Sequence, residues 1–149
     1  MTVTAHDKTH DGELYELFQV SAKAVLFNVV KDKVLLLLHD DGDHSIPGGH
    51  IEPGESLQEA LLRELNEELG FSYHGSLWLV KADKYQTQQT KASKIDLYYV
   101  GELDENAPIS IKNNGDGLVG WEWVAVDSIL DGSYKCEPWI PELLKEALR

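Results

Sequence analysis

The segment GGHIEPGESLQEALLRELNEELGF, residues 48–71, joins a glycine-rich loop to a strongly acidic run. It contains six glutamates, and Arg63 is its only lysine or arginine. Ser56 with Glu59 three residues later predicts a capping box at a helix start, and Gly70 predicts the helix end. Apolar residues between these caps recur at the three- and four-residue steps of an amphipathic helix, namely Leu57, Ala60, Leu61, Leu65 and Leu69.

Three glutamates of this predicted helix project from one arc of its surface. At ~100° per residue, Glu67 lies about 60° to one side of Glu64 and Glu68 about 40° to the other. Leu65 and Leu69 flank the arc, so the carboxylates should border the core, where like charges raise one another's pKa. A divalent cation would reverse that cost, and oxygen ligands without paired His or Cys favour Mg²⁺ or Mn²⁺ over zinc. The alternative is a solvated charged helix, but that pattern predicts interspersed lysines, and this helix has none.

The glycine-rich loop before the helix does not match other phosphate-binding or cation-binding motifs. Glu55 stands where a P-loop requires lysine, and no GxGxxG is present. Ile46 occupies the glycine position of an EF-hand loop counted from Asp41. Gly48 and Gly49 lack a Cβ atom, so the backbone there can approach a ligand closely.

From Gly49 to Phe71 the residues resemble the Nudix box, GX₅EX₇REUXEEXGU, in which U is a bulky apolar residue. Every fixed position is matched, although Phe71 is aromatic where aliphatic residues are more usual. The resemblance implies a Nudix-type α/β/α sandwich with a mixed β-sheet, in which the box forms a loop–helix–loop. It also implies metal-dependent hydrolysis of a pyrophosphate bond in a nucleoside diphosphate linked to another moiety.

The resemblance assigns roles to the residues of the box. Glu64, Glu67 and Glu68 would be the catalytic carboxylates and the ligands of Mg²⁺ or Mn²⁺. A backbone carbonyl, that of Gly49 or Gly48, would add a further ligand. Glu55 and Arg63 would be structural, as a salt bridge that braces the two ends of the motif.

Outside the box, some family members use an acidic residue of a later loop as the carboxylate that acts on the attacking water. Asp116 is the candidate here for that carboxylate and for a further metal ligand. The alternative is that Asp116 serves the turn formed by Asn-Gly-Asp-Gly. Substrate-binding candidates lie in a predicted polar loop at 81–94: Lys81, Lys84 and Lys91 for terminal phosphates, and Tyr85 for stacking on a base. The alternative for this segment is a solvated edge loop.

The whole chain, residues 1–149, is predicted to form a single α/β domain with a flexible lead-in at 1–13. Strands are predicted at 17–30, 34–40, 76–82, 95–102 and 118–126, and a C-terminal helix at 138–149. Strands and helices intermix, which favours one mixed sheet with helices packed on it. The run VLLLL at 34–38 is apolar throughout, which predicts a strand covered on both faces.

Charge and composition restrict the partners. A net charge of −13 disfavours polymeric nucleic acid and anionic membranes, but cations at a site would still admit a small nucleotide-type substrate. One cysteine excludes an intrachain disulfide, no signal peptide is evident, and no apolar run could span a bilayer; these features predict a cytoplasmic protein. The resemblance also allows a homodimer, because family members often dimerise.

A non-catalytic Nudix-fold module that binds nucleotides or regulates another protein is the alternative function. Such modules typically lose box carboxylates, whereas this sequence keeps Glu64, Glu67 and Glu68. An isomerase or an mRNA-decapping variant is a weaker alternative, since small size and acidic charge argue against RNA.

Overall fold

The computed structural model describes residues 6–8, 14–112 and 115–149. None of the helices in these ranges is both long and apolar enough to cross a bilayer. The elements follow in the order β1 (His6–Lys8), β2 (Leu14–Glu16), β3 (Gln19–Phe27), β4 (Lys33–His39), β5 (His44–Ser45), β6 (Gly48–His50), α1 (Leu57–Leu69), β7 (Trp78–Gln86), β8 (Ser93–Glu102), β9 (Leu118–Ala125), α2 (Val126–Leu130) and α3 (Trp139–Ala147).

Seven strands form one mixed sheet, and β1 pairs with β2 separately. Strands β3 and β8 run parallel along their whole length, whereas the other pairs of the main sheet are antiparallel. Strands β3 and β4 form the predicted hairpin but pair only at Phe27 and Val34. Beyond that point they separate, so that β6 pairs with β3 and β9 pairs with β4. The predicted mixed sheet is confirmed.

The core has two layers, one on each face of the sheet. Val34 and Leu36 belong to the cluster that includes residues of α2 and α3, whereas Leu35 and Leu37 belong to the cluster that includes residues of α1. This division follows from the two-residue period of a strand. The prediction that the VLLLL run is covered on both faces is confirmed, and the result is the α/β/α sandwich.

Several predicted boundaries are wrong. The loop expected at 81–94 is a six-residue turn at 87–92, because β7 extends to Gln86 and β8 begins at Ser93. Cross-strand pairing with β8 overrides the low strand propensity of this polar stretch. Strand β9 ends at Ala125, and the short helix α2 follows it without having been predicted. The lead-in predicted at 1–13 lies outside the described residues, except for strand β1.

Candidate active site

Helix α1 begins and ends where the sequence predicts, because side chains and a left-handed glycine cap it. The Glu59 N–H donates to Ser56 Oγ at 3.1 Å, and the Ser56 N–H donates to Glu59 Oε2 at 3.3 Å. Gly70 has φ of 77° and donates its N–H to the Asn66 carbonyl. The apolar stripe is wrong only at Leu57, which is 44% exposed, while the other members are buried: Ala60, Leu61, Leu65 and Leu69.

The three box glutamates differ in their exposure. The side chain of Glu64 is 17% exposed and that of Glu67 is 61% exposed, while Glu68 is half-buried. The Gly48 N–H donates to Glu68 Oε2 at 3.3 Å. The pKa of Glu68 is raised to about 8, mainly by burial and also by the negative charges of Glu64, Asp116 and Glu67, while this hydrogen bond acts to lower it. Helix α1 therefore presents a carboxylate held among like charges.

Arg63 braces the two ends of the loop–helix segment. Its Nε and Nη2 donate to the two carboxylate oxygens of Glu55 at 2.7 and 3.0 Å, a bidentate pair. Nη2 also donates to the His50 carbonyl, and Nη1 donates to Glu64 at 2.9 Å and to Glu67 at 3.5 Å. The hydrogen bonds with Glu55 raise the pKa of Arg63 above its ordinary value and lower the pKa of Glu55. The salt bridge expected between the ends of the box is present.

The strand register decides which glycine carbonyl faces helix α1. Backbone hydrogen bonds of 2.8 and 3.0 Å join β3 to the chain on either side of β6, at the pairs Ala24–Pro47 and Val20–Ile51. Hydrogen-bonded pairs recur at every second residue of an antiparallel ladder, so Gly49 belongs to this set, opposite Ala22. Gly48 lies between such pairs and turns its N–H toward Glu68. Its carbonyl faces the same way, and is the better placed of the two for a metal.

The donor set fits a hard divalent cation, because it consists of carboxylate and carbonyl oxygens. The charges that raise the pKa of Glu68 come from neighbouring carboxylates. Negative charge concentrated in this way attracts a cation. In the ranges that the structure describes, no three Asp, Glu, His or Cys side chains already converge on one point. Arg63 holds Glu64 and Glu67, so a bound cation would have to replace the guanidinium as the partner of Glu64.

Asp116 fills the turn role that was the alternative considered for it. Its Oδ1 accepts a hydrogen bond from the Leu118 N–H at 3.1 Å, as in a turn. Its negative charge also contributes to the raised pKa of Glu68. Asp116 is therefore a turn residue that lies on the acidic side of the site.

Lys84 and Lys91 do not share the face of β7 that carries the other two predicted substrate-binding residues, Lys81 and Tyr85. Lys84 projects from the opposite face of β7 to Lys81 and pairs with Glu16 at 3.0 Å. Lys91 lies in the exposed turn at 87–92 with φ of 58°. The structure therefore does not group these lysines into one phosphate-binding cluster.

Lys81 and Tyr85 share the other face of β7. Lys81 pairs with Asp83 at 3.4 Å, and Tyr85 donates its hydroxyl to Asp96 at 3.1 Å. Asp96 is only 4% exposed and pairs with Lys23 at 3.4 Å. Sequence reasoning did not single out Lys23 or Asp96, although a charge inside an otherwise apolar strand is a usable signal.

His44, in strand β5, contacts the segment that enters α3. Its backbone N–H donates to Glu137 Oε1 at 2.8 Å, and its Nδ1 lies 3.0 Å from Glu137 Oε2. Tyr134 Oη lies 3.2 Å from His44 Nε2 and donates to Glu122 at 2.8 Å. These contacts join strand β5 to the segment that enters α3.

Comparisons with known proteins agree with this geometry. The family model described as the NUDIX domain matches residues 17–146. The ADP-ribose pyrophosphatase of Methanocaldococcus jannaschii is 37% identical over 68 residues, and the match covers 42% of this chain but only 40% of that relative.

Solved structures share the fold. The MutT protein from Methanosarcina mazei superposes with a TM-score of 0.69 at 21% identity, over 86% of this chain and 91% of that one. The MutT NUDIX hydrolase from Burkholderia pseudomallei gives a TM-score of 0.70 at 18% identity, over 88% of this chain and 98% of that one.

Proposed function

The chain belongs to the Nudix family, and from this premise we propose that it hydrolyses, with a divalent metal, the pyrophosphate bond of a nucleoside diphosphate linked to another moiety. The observation that most supports the proposal is the half-buried Glu68, held against Gly48 in the field of Glu64, Glu67 and Asp116. Like charges in such a place destabilise a fold unless a cation compensates them. A purely structural helix would gain nothing from the arrangement.

In this proposal Glu64, Glu67, Glu68 and the carbonyl of Gly48 hold Mg²⁺ or Mn²⁺. When bound, the cation supplies positive charge to the pyrophosphate oxygens and lowers the pKa of a water ligand. Arg63 stays anchored by its bidentate pair with Glu55 when Glu64 turns away from it. The brace thus keeps helix α1 in place while its carboxylates change partners.

Glu68 is the proposed proton acceptor for the attacking water. Burial and the neighbouring carboxylates raise the pKa of Glu68 to about 8 in the metal-free chain, which favours it as a proton acceptor. Glu64 is the other box carboxylate considered for this role, and in the metal-free chain it accepts a charge-assisted hydrogen bond from Arg63 at 2.9 Å. Asp116 is the alternative acceptor from the later loop.

The name of the archaeal relative makes ADP-ribose the first substrate to test. The match spans only 40% of that relative's length, so ADP-ribose is a proposed substrate of this chain. Nucleotide sugars and dinucleotides share the same pyrophosphate linkage and complete the test panel.

The deciding experiment incubates the full chain with each panel member and Mg²⁺ or Mn²⁺, and follows mononucleotide release. Release that depends on the cation and stops with a chelator supports the hydrolase. If panel members bind but none is cleaved with either cation, the chain is the non-catalytic binding module instead. The same panel identifies the preferred substrate.

A further inference from the structure

A cavity of about 280 Å³ lies on the face of the sheet opposite helix α1, lined by Lys23, Tyr85, Asp96, Tyr98 and Trp139. Tyr98 belongs to the core cluster shared with α2 and α3, which fixes the face. Trp139 is the first residue of α3 and is 38% exposed. The volume is near the lower limit of roughly 300 Å³ for ligand pockets, which suits one ring system better than a whole nucleotide.

Asp96 lines this cavity, and only one of its two carboxylate oxygens accepts hydrogen bonds from side chains of the described residues. All three donors around it converge on Oδ2: Lys23 Nζ at 3.4 Å, the Tyr85 hydroxyl at 3.1 Å and the Tyr98 hydroxyl at 3.4 Å. No described residue donates to Oδ1, and Oδ1 is not among the sealed side-chain atoms without a partner. A residue only 4% exposed thus keeps one carboxylate oxygen available to a donor.

The cavity adjoins the box through Lys23. Strand β3 places Lys23 opposite Gly48 of β6, and Lys23 Cγ lies 2.9 Å from the point where a Cβ on Gly48 would be. The Gly48 N–H in turn contacts Glu68. Lys23 thus lies both on the wall of the cavity and next to the residue that contacts Glu68, and its ammonium group suits a phosphate.

We propose that this cavity binds the base of the nucleotide and that Asp96 selects bases with an N–H donor, such as the exocyclic amine of adenine or guanine. The inference rests on the proposed function and adds the part of the substrate that the box does not contact. An amine facing Oδ1 makes a charge-assisted hydrogen bond. A base without a donor there leaves a buried acceptor unpaired. Trp139 and Tyr85 supply aromatic surface for stacking.

Asp96→Asn tests the assignment, because it changes which atom faces the cavity. Lys23, Tyr85 and Tyr98 all require an acceptor, so the amide oxygen should keep the Oδ2 position. The amide NH₂ then replaces Oδ1, and a donor stands where an acceptor stood.

The measurement is calorimetric affinity for nucleoside monophosphates, which have no pyrophosphate bond and need no turnover. AMP is compared with the monophosphate of unsubstituted purine riboside, and GMP with IMP. The wild type should prefer the amine-bearing member of at least one pair by about tenfold or more. Asp96→Asn should abolish or invert that preference.

Asp83→Asn is the matched control. Asp83 lies opposite Asp96 on the neighbouring strand but is 44% exposed and does not line the cavity. Asp83→Asn removes one negative charge, as Asp96→Asn does, and should leave the preference for amine-bearing bases unchanged. Trp139→Phe, at a half-exposed position, should weaken AMP binding and reduce the fluorescence change that AMP causes.

The proposal is overturned if the wild type binds neither pair or shows no preference, or if Asp83→Asn removes the preference as fully as Asp96→Asn. Thermal unfolding checks that Asp96→Asn is folded; if it is not, the wild-type comparison and Trp139→Phe decide. Hydrolysis without base preference would reject only the cavity assignment. Base preference without any hydrolysis would reject only the proposed enzyme.

Discussion

The carboxyl carbon of Glu64 lies 2.5 Å from the position that a Cβ atom on Gly49 would take. Position 49 therefore needs a residue without a Cβ atom so that the Glu64 carboxylate can lie where it does, and not because its backbone angles demand glycine. The constraint on neighbouring Gly48 is different: its φ is +147°, and a Cβ there would collide with the Ala22 carbonyl and lie 2.6 Å from Lys23 Cα. One glycine makes room for the end of a flexible side chain, the other for rigid backbone.

Substituting the two glycines should therefore have different effects. Gly49→Ala should displace the Glu64 carboxylate and weaken Mg²⁺ binding and hydrolysis, with little change in melting temperature. Gly48→Ala should lower the melting temperature markedly, because backbone cannot yield as a side chain can. Calorimetric Mg²⁺ titration and thermal unfolding of both variants check this, and equal losses of stability would contradict it.

Glu68→Gln should lower the turnover rate by about 10²–10⁴-fold, because it removes the proposed proton acceptor and a metal ligand. The protein should stay folded, since glutamine is nearly isosteric. Glu59→Gln is the control on the same helix: Glu59 caps the Ser56 N–H, and glutamine can do the same. Steady-state kinetics on the best panel substrate compares the two, and an unaffected Glu68→Gln would remove Glu68 from the mechanism.

The contribution of Glu68 to the stability of the metal-free protein should fall as pH rises between about 4.5 and 8. The folded pKa of Glu68, about 8, lies above its ordinary value of 4.5, so in this range the folded state holds a proton that the unfolded state has lost. The slope of the unfolding free energy with pH is then negative. The contribution is fully present below pH 4.5 and is lost as pH passes through about 8.

Denaturant unfolding in a chelator at several pH values measures this effect. Glu68→Gln cannot titrate, so the difference between wild type and variant should shrink or change sign as pH rises. Adding Mg²⁺ at pH 8 should stabilise the wild type more than the variant, because binding to the folded state adds stability. Parallel pH profiles for the two proteins would contradict the assignment.

Arg63→Lys should lower both the melting temperature and the affinity for Mg²⁺. Lysine keeps the charge but cannot make the bidentate pair with Glu55 or reach the His50 carbonyl at the same time. Lys145→Gln is the control, because it breaks an exposed helical pair with Glu142, which should contribute little. If Arg63→Lys behaved like Lys145→Gln in both measurements, the brace would have no role.

Short-range patterns predicted parts of the structure well. The capping box of Ser56 and Glu59 and the left-handed Gly70 are local features, and both ends of α1 follow them. The apolar run from Val34 also predicted burial on two faces correctly. The segment 81–94 was predicted wrongly, because its pairing with β8 is a tertiary interaction that outweighs its polar composition.

The sequence by itself determined the helix, its caps and the arc of carboxylates, since these depend on spacings of three to eight residues and on fixed helical geometry. Tertiary structure decided which glycine carbonyl faces Glu68, because that depends on the register of β6 against β3. It also brought Lys23 to Asp96, 73 positions along the chain, and left one Asp96 oxygen open. Contacts between distant strands follow from packing and register, which no local pattern encodes.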